Sequence, residues 1–147
     1  MSTPRPATQV AVTISIARPP QRVWRALCEP AEVVRWDGVT QLWVPEGYPA
    51  AGQYARWSSA IGPWRLTLHD RVQAVEPPRR LRSTIDIGFV HVEEEYRLTP
   101  SDAGTLLVSD NAVSSRRRGL RWLAVALTRQ NIRASLGRLK AFCEGGA

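Results

Sequence analysis

Two acidic residues stand in otherwise apolar rows of the chain, where a carboxyl could donate or accept a proton. Between residues 89 and 98, Glu94 shares an alternating row with Val90, Val92, Tyr96 and Leu98. Between residues 64 and 75, Asp70 shares such a row with Trp64, Leu66, Leu68 and Val72. Alternate residues of a strand point to one side of a sheet, so both carboxyls are predicted to point inward. Burying an unpartnered carboxyl costs several kcal/mol and raises its pKa, and service as a cavity acid or base is one reason to keep it there.

Two other interpretations of Glu94 and Asp70 stay open at this point. Either strand could contain a bulge that turns the acid outward, and a bulge is expected near Val75, because Val72 and Val75 cannot both point inward without one. Either acid could also be half of an interior ion pair with an arginine. The sequence therefore offers Glu94 and Asp70 as candidate catalytic residues.

Other chemistry-bearing residue types lack the arrangement that their chemistry needs. His69 and His91 fall on the opposite faces of the same two strands, so they are predicted to point outward into solvent. There is no Ser-His-Asp order, no phosphate-binding glycine loop and no metal-ligand spacing, and we expect neither a metal nor a cofactor. Cys28 and Cys143 are far apart without a CxxC motif and are predicted to be reduced, buried, small apolar residues.

Six tryptophans are many for 147 residues and favour a ligand pocket with aromatic walls. Trp24 and Trp36 are expected to anchor short helices, and the tryptophans on strands are expected near the cavity mouth. Packing or edge cover is an equally good account of each single tryptophan. The residues expected to contact a ligand are Trp43, Trp57, Trp64, Leu66, Leu68, Ile85, Phe89, Val92 and Tyr96.

The net charge of +7 comes almost wholly from arginine, and the densest cluster is Arg116, Arg117 and Arg118. These residues are predicted to begin a long helix, where cations oppose the helix dipole, so helix stability does not explain them. They form a solvated loop, or they make weak contact with an anionic membrane surface or an acidic carrier protein. Nucleic acid is not an expected partner, since no row of exposed aromatic residues and no reading helix accompanies the cluster.

The elements that must position these residues are separated by clear turn signals. Residues 10–16 predict a strand, 21–28 and 30–35 two short helices that follow prolines, and 118–144 one long amphipathic helix. Six alternating runs between them predict an antiparallel meander over 39–44, 54–59, 64–75, 81–87, 89–98 and 105–113. The predicted fold class is therefore α+β. Seven strands and one long helix bury their apolar faces only if the sheet curls around the helix, which leaves room for a cavity between them.

Four motifs in this order carry a resemblance to a known family. They are residues 17–27 followed by Trp36, residues 72–81 ending in Glu76-Pro77-Pro78-Arg79-Arg80-Leu81, Leu98-Thr99-Pro100 with Gly104-Thr105, and Leu136, Leu139, Lys140 and Glu144. Over residues 10–144 the chain resembles the START/pollen-allergen-like (SRPBCC) helix-grip superfamily, in particular its bacterial polyketide cyclase/dehydrase-like branch. The resemblance implies a deep cavity for lipids, polyketides or hormones. It implies no reaction, because the enzymes of this superfamily share no catalytic motif.

These observations together predict residues 1–9 as a flexible arm, 10–144 as a single domain and 145–147 as a flexible tail. No stretch approaches the roughly 18 apolar residues of a membrane span, and the first residues do not form a secretory signal, so the expected location is cytoplasmic. The expected function is to bind a small, mostly apolar molecule in the cavity, as a monomer or homodimer. The alternative is a polyketide cyclase, dehydratase or aromatase that acts there by proton transfer.

Overall fold

A computed structural model describes residues 6–61 and 63–145. The strands that alternate apolar and polar residues form one antiparallel sheet. Within these residues there are seven strands and three helices: β1 (Thr8–Ile16), α1 (Pro20–Cys28), α2 (Pro30–Trp36), β2 (Thr40–Trp43), β3 (Tyr54–Ile61), β4 (Trp64–Glu76), β5 (Arg80–Ile87), β6 (Val90–Ser101), β7 (Gly104–Ser115) and α3 (Arg121–Glu144). The order across the curved sheet is β1-β7-β6-β5-β4-β3-β2. The predicted α+β helix-grip layout, with two short helices after the first strand, is confirmed.

The long helix α3 packs mainly against the end of the sheet that β1 and β7 form, which is called the β1–β7 side. It also contacts α1 and α2. Ile132, Leu136, Leu139 and Cys143 follow one another at helical spacing and are buried against this side. β7 contributes Leu107 and Val113, and β1 contributes Ile16, all of them fully buried. The main core extends from this part of the sheet to buried residues of β4, β5 and β6, such as Val72, Leu81 and Val92, while Ile85, Ile87 and Tyr96 on the same strands are only partly buried.

The hairpin between β6 and β7 fits closely against the end of β1, and this contact explains a glycine. Gly104 has a φ of +139°, and an added Cβ would stand 2.6 Å from both the Arg18 nitrogen and the Ile16 oxygen. Next to it, the Thr105 hydroxyl donates to the Arg18 oxygen at 2.7 Å. Only glycine has the backbone freedom and the small size that this approach needs.

The structure corrects the predicted start of the long helix. α3 begins at Arg121, three residues later than predicted, because Gly119 takes a φ of +81° and breaks the chain direction. Arg117 lies in a turn closed by Ser115, whose Oγ accepts from the Arg117 nitrogen at 3.0 Å. The three clustered arginines therefore precede the helix, and the argument from the helix dipole does not apply to them.

The structure also bears on the predictions for β4, the two cysteines and the chain ends. The register between β4 and β5 shifts between Val72 and Ala74, so the irregularity expected near Val75 is present. Cys28 and Cys143 are free and buried, and burial raises the pKa of the Cys28 thiol to about 12, so this thiol is not a nucleophile. β1 begins at Thr8, inside the predicted arm, while residues 1–5, 146 and 147 of the predicted arm and tail lie outside the described residues. No helix of the described chain is long and apolar enough to cross a membrane.

Candidate functional site

The strand register places Glu94 and Asp70 on the inner face of the sheet. In β6, Glu94 pairs with Ser83 of β5 on one side and with Asn111 of β7 on the other. Asp70 of β4 pairs with Ile85 of β5, so a single strand separates the two acids. Their charges interact, because each would be ionised in the same poorly solvated interior.

Glu94 lies inside the fold but is not completely shielded from solvent. Protein atoms surround it, yet part of its side chain stays accessible to water. Burial raises its pKa to about 8, with further increases from the charges of Asp70 and Asp37, and the nearby Tyr96 offsets only part of this. Within residues 6–61 and 63–145, no cationic group lies within 4.0 Å of its carboxyl. Glu94 is therefore not half of an ion pair with any described residue, and its raised pKa favours the neutral carboxyl.

Asp70 is held by two aromatic side chains. The Tyr48 hydroxyl donates a short hydrogen bond to Asp70 Oδ2, and Trp57 Nε1 donates to the same oxygen at 3.3 Å. Burial nevertheless raises the pKa of Asp70, although Tyr48, Trp57 and Ser83 all favour its ionised form. Asp70 is only 4% exposed, and its Oδ1 has no hydrogen-bond partner of normal geometry among the described residues. This oxygen is an unused acceptor.

Tyr48 reaches Asp70 because the long connection between β2 and β3 folds back over the sheet. Gly52 donates to the Val72 oxygen and Val72 donates to the Gln53 oxygen, both at 2.9 Å, which fixes the connection to β4. The ring of Tyr48 then packs edge-on against Trp57, with centroids 5.8 Å apart. Burial, followed by the charge of Asp70, raises the pKa of Tyr48 far above its usual value, so Tyr48 remains a hydrogen-bond donor.

Asn111 provides a second unused acceptor on the same inner face. It is fully buried, and its Nδ2 donates to the Val10 oxygen at 3.2 Å and to Ser109 Oγ at 3.0 Å. Its Oδ1 has no partner within the part of the chain that the structure describes. Since Asn111 stands opposite Glu94 in the register, the polar groups of β4, β6 and β7 form one interior group.

A pocket of about 440 Å³ opens between the end of α2, the strands β3 and β4, and α3, and neither Glu94 nor Asp70 lines it. Its lining is Arg35, Trp36, Asp37, Gly38, Val39, Ser59, Ala60, Leu68, Asn131 and Arg138. Asp37 accepts from Ser135 Oγ at 3.1 Å and lies 3.5 Å from Arg138 Nη2, which ties α2 to α3. Burial raises the pKa of Asp37 despite these partners. Asp37 connects the pocket with the interior acids, because it lines the pocket and its charge raises the pKa of Glu94.

The residues predicted to contact a ligand fall into three groups. Trp57 and Val92 are buried in the protein, at 3% and 6% exposure. Leu66, Leu68, Ile85, Phe89 and Tyr96 are partly accessible, and of the nine residues only Leu68 lines the pocket beside α2. Trp64 and Trp43 are 66% and 50% exposed. Among the described residues, the only tryptophan in the lining of this pocket is Trp36, and ligand contact by Trp43, Trp57 and Trp64 stays a prediction.

Trp43 lies on the outer face of the sheet. It pairs with Arg56 and stands 6.5 Å from the ring of Tyr54, which stacks on His69. Arg56 and His69 are register partners on the face opposite to that of Asp70. Trp43 therefore stands apart from the interior acids, because the short edge strand β2 turns its ring to the other side.

Both histidines are on the outer face, as their positions in the strands predict, but they are partly buried in polar contacts. His91 Nδ1 lies 2.6 Å from Asp86, which is also 2.5 Å from Arg116 Nη2. His69 shares a short hydrogen bond with the Tyr54 hydroxyl. Neither histidine stands beside Glu94 or Asp70.

Sequence reasoning missed Tyr48, Asp37, Ser83 and Asn111 as parts of the interior group. A signal existed for Asn111, because it shares an alternating row of β7 with Leu107 and Val113, as Glu94 does in β6. No local signal identifies Tyr48, which stands in a turn-rich stretch, or Asp37, which directly follows a short helix.

Comparison with known proteins assigns the chain to a family. A family model described as polyketide cyclase/dehydrase and lipid transport matches residues 7–144. No curated protein matches the chain. Protein CV1439 from Chromobacterium violaceum is 17% identical with a TM-score of 0.75, over 93% of this chain and 98% of its own. TTHA0849 from Thermus thermophilus is 18% identical with a TM-score of 0.72, over 95% and 99%. DynU16, a protein of the dynemicin biosynthetic locus, is 23% identical with a TM-score of 0.70, over 94% of this chain and 48% of its own.

Proposed function

Because the chain belongs to the polyketide cyclase/dehydrase and lipid transport family, we propose that it binds a small, mostly apolar molecule between α3 and the inner face of β4 to β6. Packing supports this location. α3 lies on β1 and β7, while Leu68, Ile85, Ile87 and Tyr96 on the inner face of β4 to β6 remain only partly buried. Apolar side chains without partner atoms forgo dispersion contacts, which a bound apolar molecule would supply.

The observation that carries the proposal is Glu94, a carboxyl inside the fold that has no cationic partner among the described residues and retains accessible surface. A neutral Glu94 can donate a hydrogen bond to a ligand oxygen, whereas Asp70 Oδ1 and Asn111 Oδ1 are themselves buried and add polarity to the interior. The ligand class that this donor favours is an apolar skeleton that carries at least one carbonyl or hydroxyl oxygen. The pocket of about 440 Å³ beside Asp37 lies within the range of small-molecule sites.

Saturable binding of a neutral apolar dye, N-phenyl-1-naphthylamine, tests this proposal. We expect about one dye per chain, and native mass spectrometry of the purified protein should show any ligand that co-purifies. Leu68→Trp should fill space at the pocket and weaken dye binding. Leu106→Trp is the matched control, because Leu106 is 39% exposed and lies on the outer side of β7. Absence of saturable binding in the folded parent, or equal binding by both variants, would refute the proposed site.

Proton transfer in the same cavity is the second candidate function, and the raised pKa of Glu94 favours it. A protonated Glu94 could give its proton to a departing hydroxyl while Asp70 takes a proton from the neighbouring carbon, so that a β-hydroxy ketone loses water and becomes a conjugated enone. The assay follows enone absorbance from 4-hydroxy-4-phenylbutan-2-one. Catalysis that Glu94→Gln abolishes without loss of dye binding would support an enzyme of the cyclase or dehydratase type. An inactive parent that binds the dye would leave binding as the function.

We place the protein in the cytoplasm as part of this proposal. Two free buried cysteines are compatible with a reducing compartment. Secretion of the full-length protein into the growth medium or periplasm by its host would overturn this placement.

A further inference from the structure

The positive charge of the protein is concentrated near its C-terminal end. Between residues 111 and 143 there are eight basic residues and no acidic residue. The remaining 114 residues hold twelve basic and thirteen acidic residues, so they are close to neutral. The net charge of +7 is therefore a property of one segment, the turn before α3 and α3 itself.

Five of these eight cations are free of carboxylate partners. Arg116 pairs with Asp86, Arg138 with Asp37 and Lys140 with Glu144. The other five are exposed and have no carboxylate within 4.0 Å in the described ranges 6–61 and 63–145: Arg117, Arg118, Arg121, Arg129 and Arg133. We call these five residues the arginine surface. Such exposed charges add little to folding stability, so stability does not explain why they are clustered.

An exposed tryptophan lies within the arginine surface. Trp122 is 69% exposed, more than any other tryptophan, leucine or isoleucine on the described surface. It is followed at intervals of seven and eleven residues by Arg129 and Arg133, so the three lie along one side of α3. At the helix start, Trp122 also lines a groove of about 840 Å³ together with Arg117, Arg118 and Arg121. None of the described residues that line this groove is acidic.

We propose that the arginine surface and Trp122 dock the protein on an anionic lipid bilayer. From Arg121 to Arg133 the helix rises about 18 Å, so the charges extend too far to serve one small anion. Guanidinium groups attract lipid phosphates, and a tryptophan ring is the side chain that membrane interfaces favour. An acidic protein surface would satisfy the arginines equally well, but it would give Trp122 no apolar medium. The exposed ring therefore favours a bilayer over an acidic partner.

Co-sedimentation with vesicles tests this docking on the intact protein. We expect binding to vesicles of equal parts phosphatidylglycerol and phosphatidylcholine, weaker binding at high salt, and no binding to phosphatidylcholine alone. The triple variant Arg117→Gln, Arg118→Gln and Arg121→Gln should partition on the order of a hundredfold less strongly, given the contribution of each basic residue near an anionic bilayer. Inorganic phosphate at matched ionic strength should not displace the parent.

The control variant removes the same charge elsewhere. It carries Arg56→Gln, Arg65→Gln and Arg82→Gln. These three arginines are exposed on the outer faces of β3, β4 and β5 and form no ion pair with a described residue. Vesicle binding by this variant should stay close to that of the parent. Trp122→Ala should weaken binding by a factor that persists at high salt. Equal losses in the two triple variants would mean that only net charge matters and would overturn the proposal. Binding to acidic polypeptides or nucleic acid with none to anionic vesicles would overturn it as well.

Discussion

Replacing Glu94 by glutamine should change how the stability of the protein depends on pH. Glu94→Gln removes the ionisable group at nearly constant volume and leaves a side chain that can still hydrogen-bond. In the parent, the carboxyl has an ordinary pKa of 4.5 when the chain is unfolded and a pKa of about 8 when it is folded. The folded state therefore holds a proton that the unfolded state has released throughout this interval.

The sign and size of the effect follow from that difference in bound protons. Below pH 4.5 both states of the parent are protonated, and parent and variant should be nearly equal in stability. As pH rises from 4.5 to about 8 the parent loses up to about 1.4 kcal/mol per pH unit, and the variant does not. At pH 7 the variant should therefore exceed the parent by about 3 kcal/mol, and above pH 8 the difference should level off. Asp70 and Asp37, whose pKa values burial also raises, impose a loss of stability with rising pH on both proteins, and their effect on Glu94 is already contained in its raised pKa.

Denaturant unfolding of parent and variant at pH 5, 7 and 9 measures this difference. Glu93→Gln is the matched control, because Glu93 is the exposed neighbour on the opposite face of β6 and its replacement should leave the two curves parallel. Parallel curves for Glu94→Gln would mean that Glu94 is solvated and not inside the fold. A uniform loss of about 3 to 5 kcal/mol would instead reveal a buried cationic partner stranded by the change.

Two further substitutions test particular contacts. Tyr48→Phe removes a hydrogen bond to buried Asp70 and should cost about 1 to 3 kcal/mol at pH 8 and less at pH 5, where Asp70 is closer to neutral; denaturant unfolding with no loss at either pH would place Tyr48 elsewhere. Arg116→Ser breaks a partly exposed ion pair with Asp86 and should lower stability by about 1 kcal/mol or less, whereas Arg117→Ser should not; equal melting temperatures would show that the pair contributes nothing.

The fold could be predicted from the sequence because its signals are local. Period-two alternation identified every strand of the sheet, and its bounds in the structure differ from the predicted ones by at most three residues. Prolines at residues 20 and 30 marked the two short helices at the positions where they begin. The error at the start of α3 is of the same local kind, since Arg118 fits a helical pattern that only the backbone of Gly119 interrupts.

The candidate site could be predicted only in part, because long-range contacts complete it. Alternation was enough to place Glu94 and Asp70 on the inner face, since each strand carries that information by itself. The partners of these acids come from other segments: Tyr48 from a connection folded back over β4, and Asp37 from a helix end held by Arg138. Nothing in the residues around Tyr48 specifies that return. The face on which Trp43 lies could not be predicted from its residue type either, because only the pairing of β2 with β3 determines it.

Folding stability and the candidate function depend on different strands of the same sheet. On the β1–β7 side, α3 covers Ile16, Leu107 and Leu136 completely, and apolar burial of this kind is the main source of folding free energy. On the β4–β6 side, two carboxyls with raised pKa values lower the stability of the folded state at neutral pH. A protein can keep such groups only if the rest of the core is stable enough to offset their cost. Substitutions beneath α3 should therefore act mainly on folding, whereas removal of the Glu94 carboxyl should act on binding and can raise stability as binding is lost.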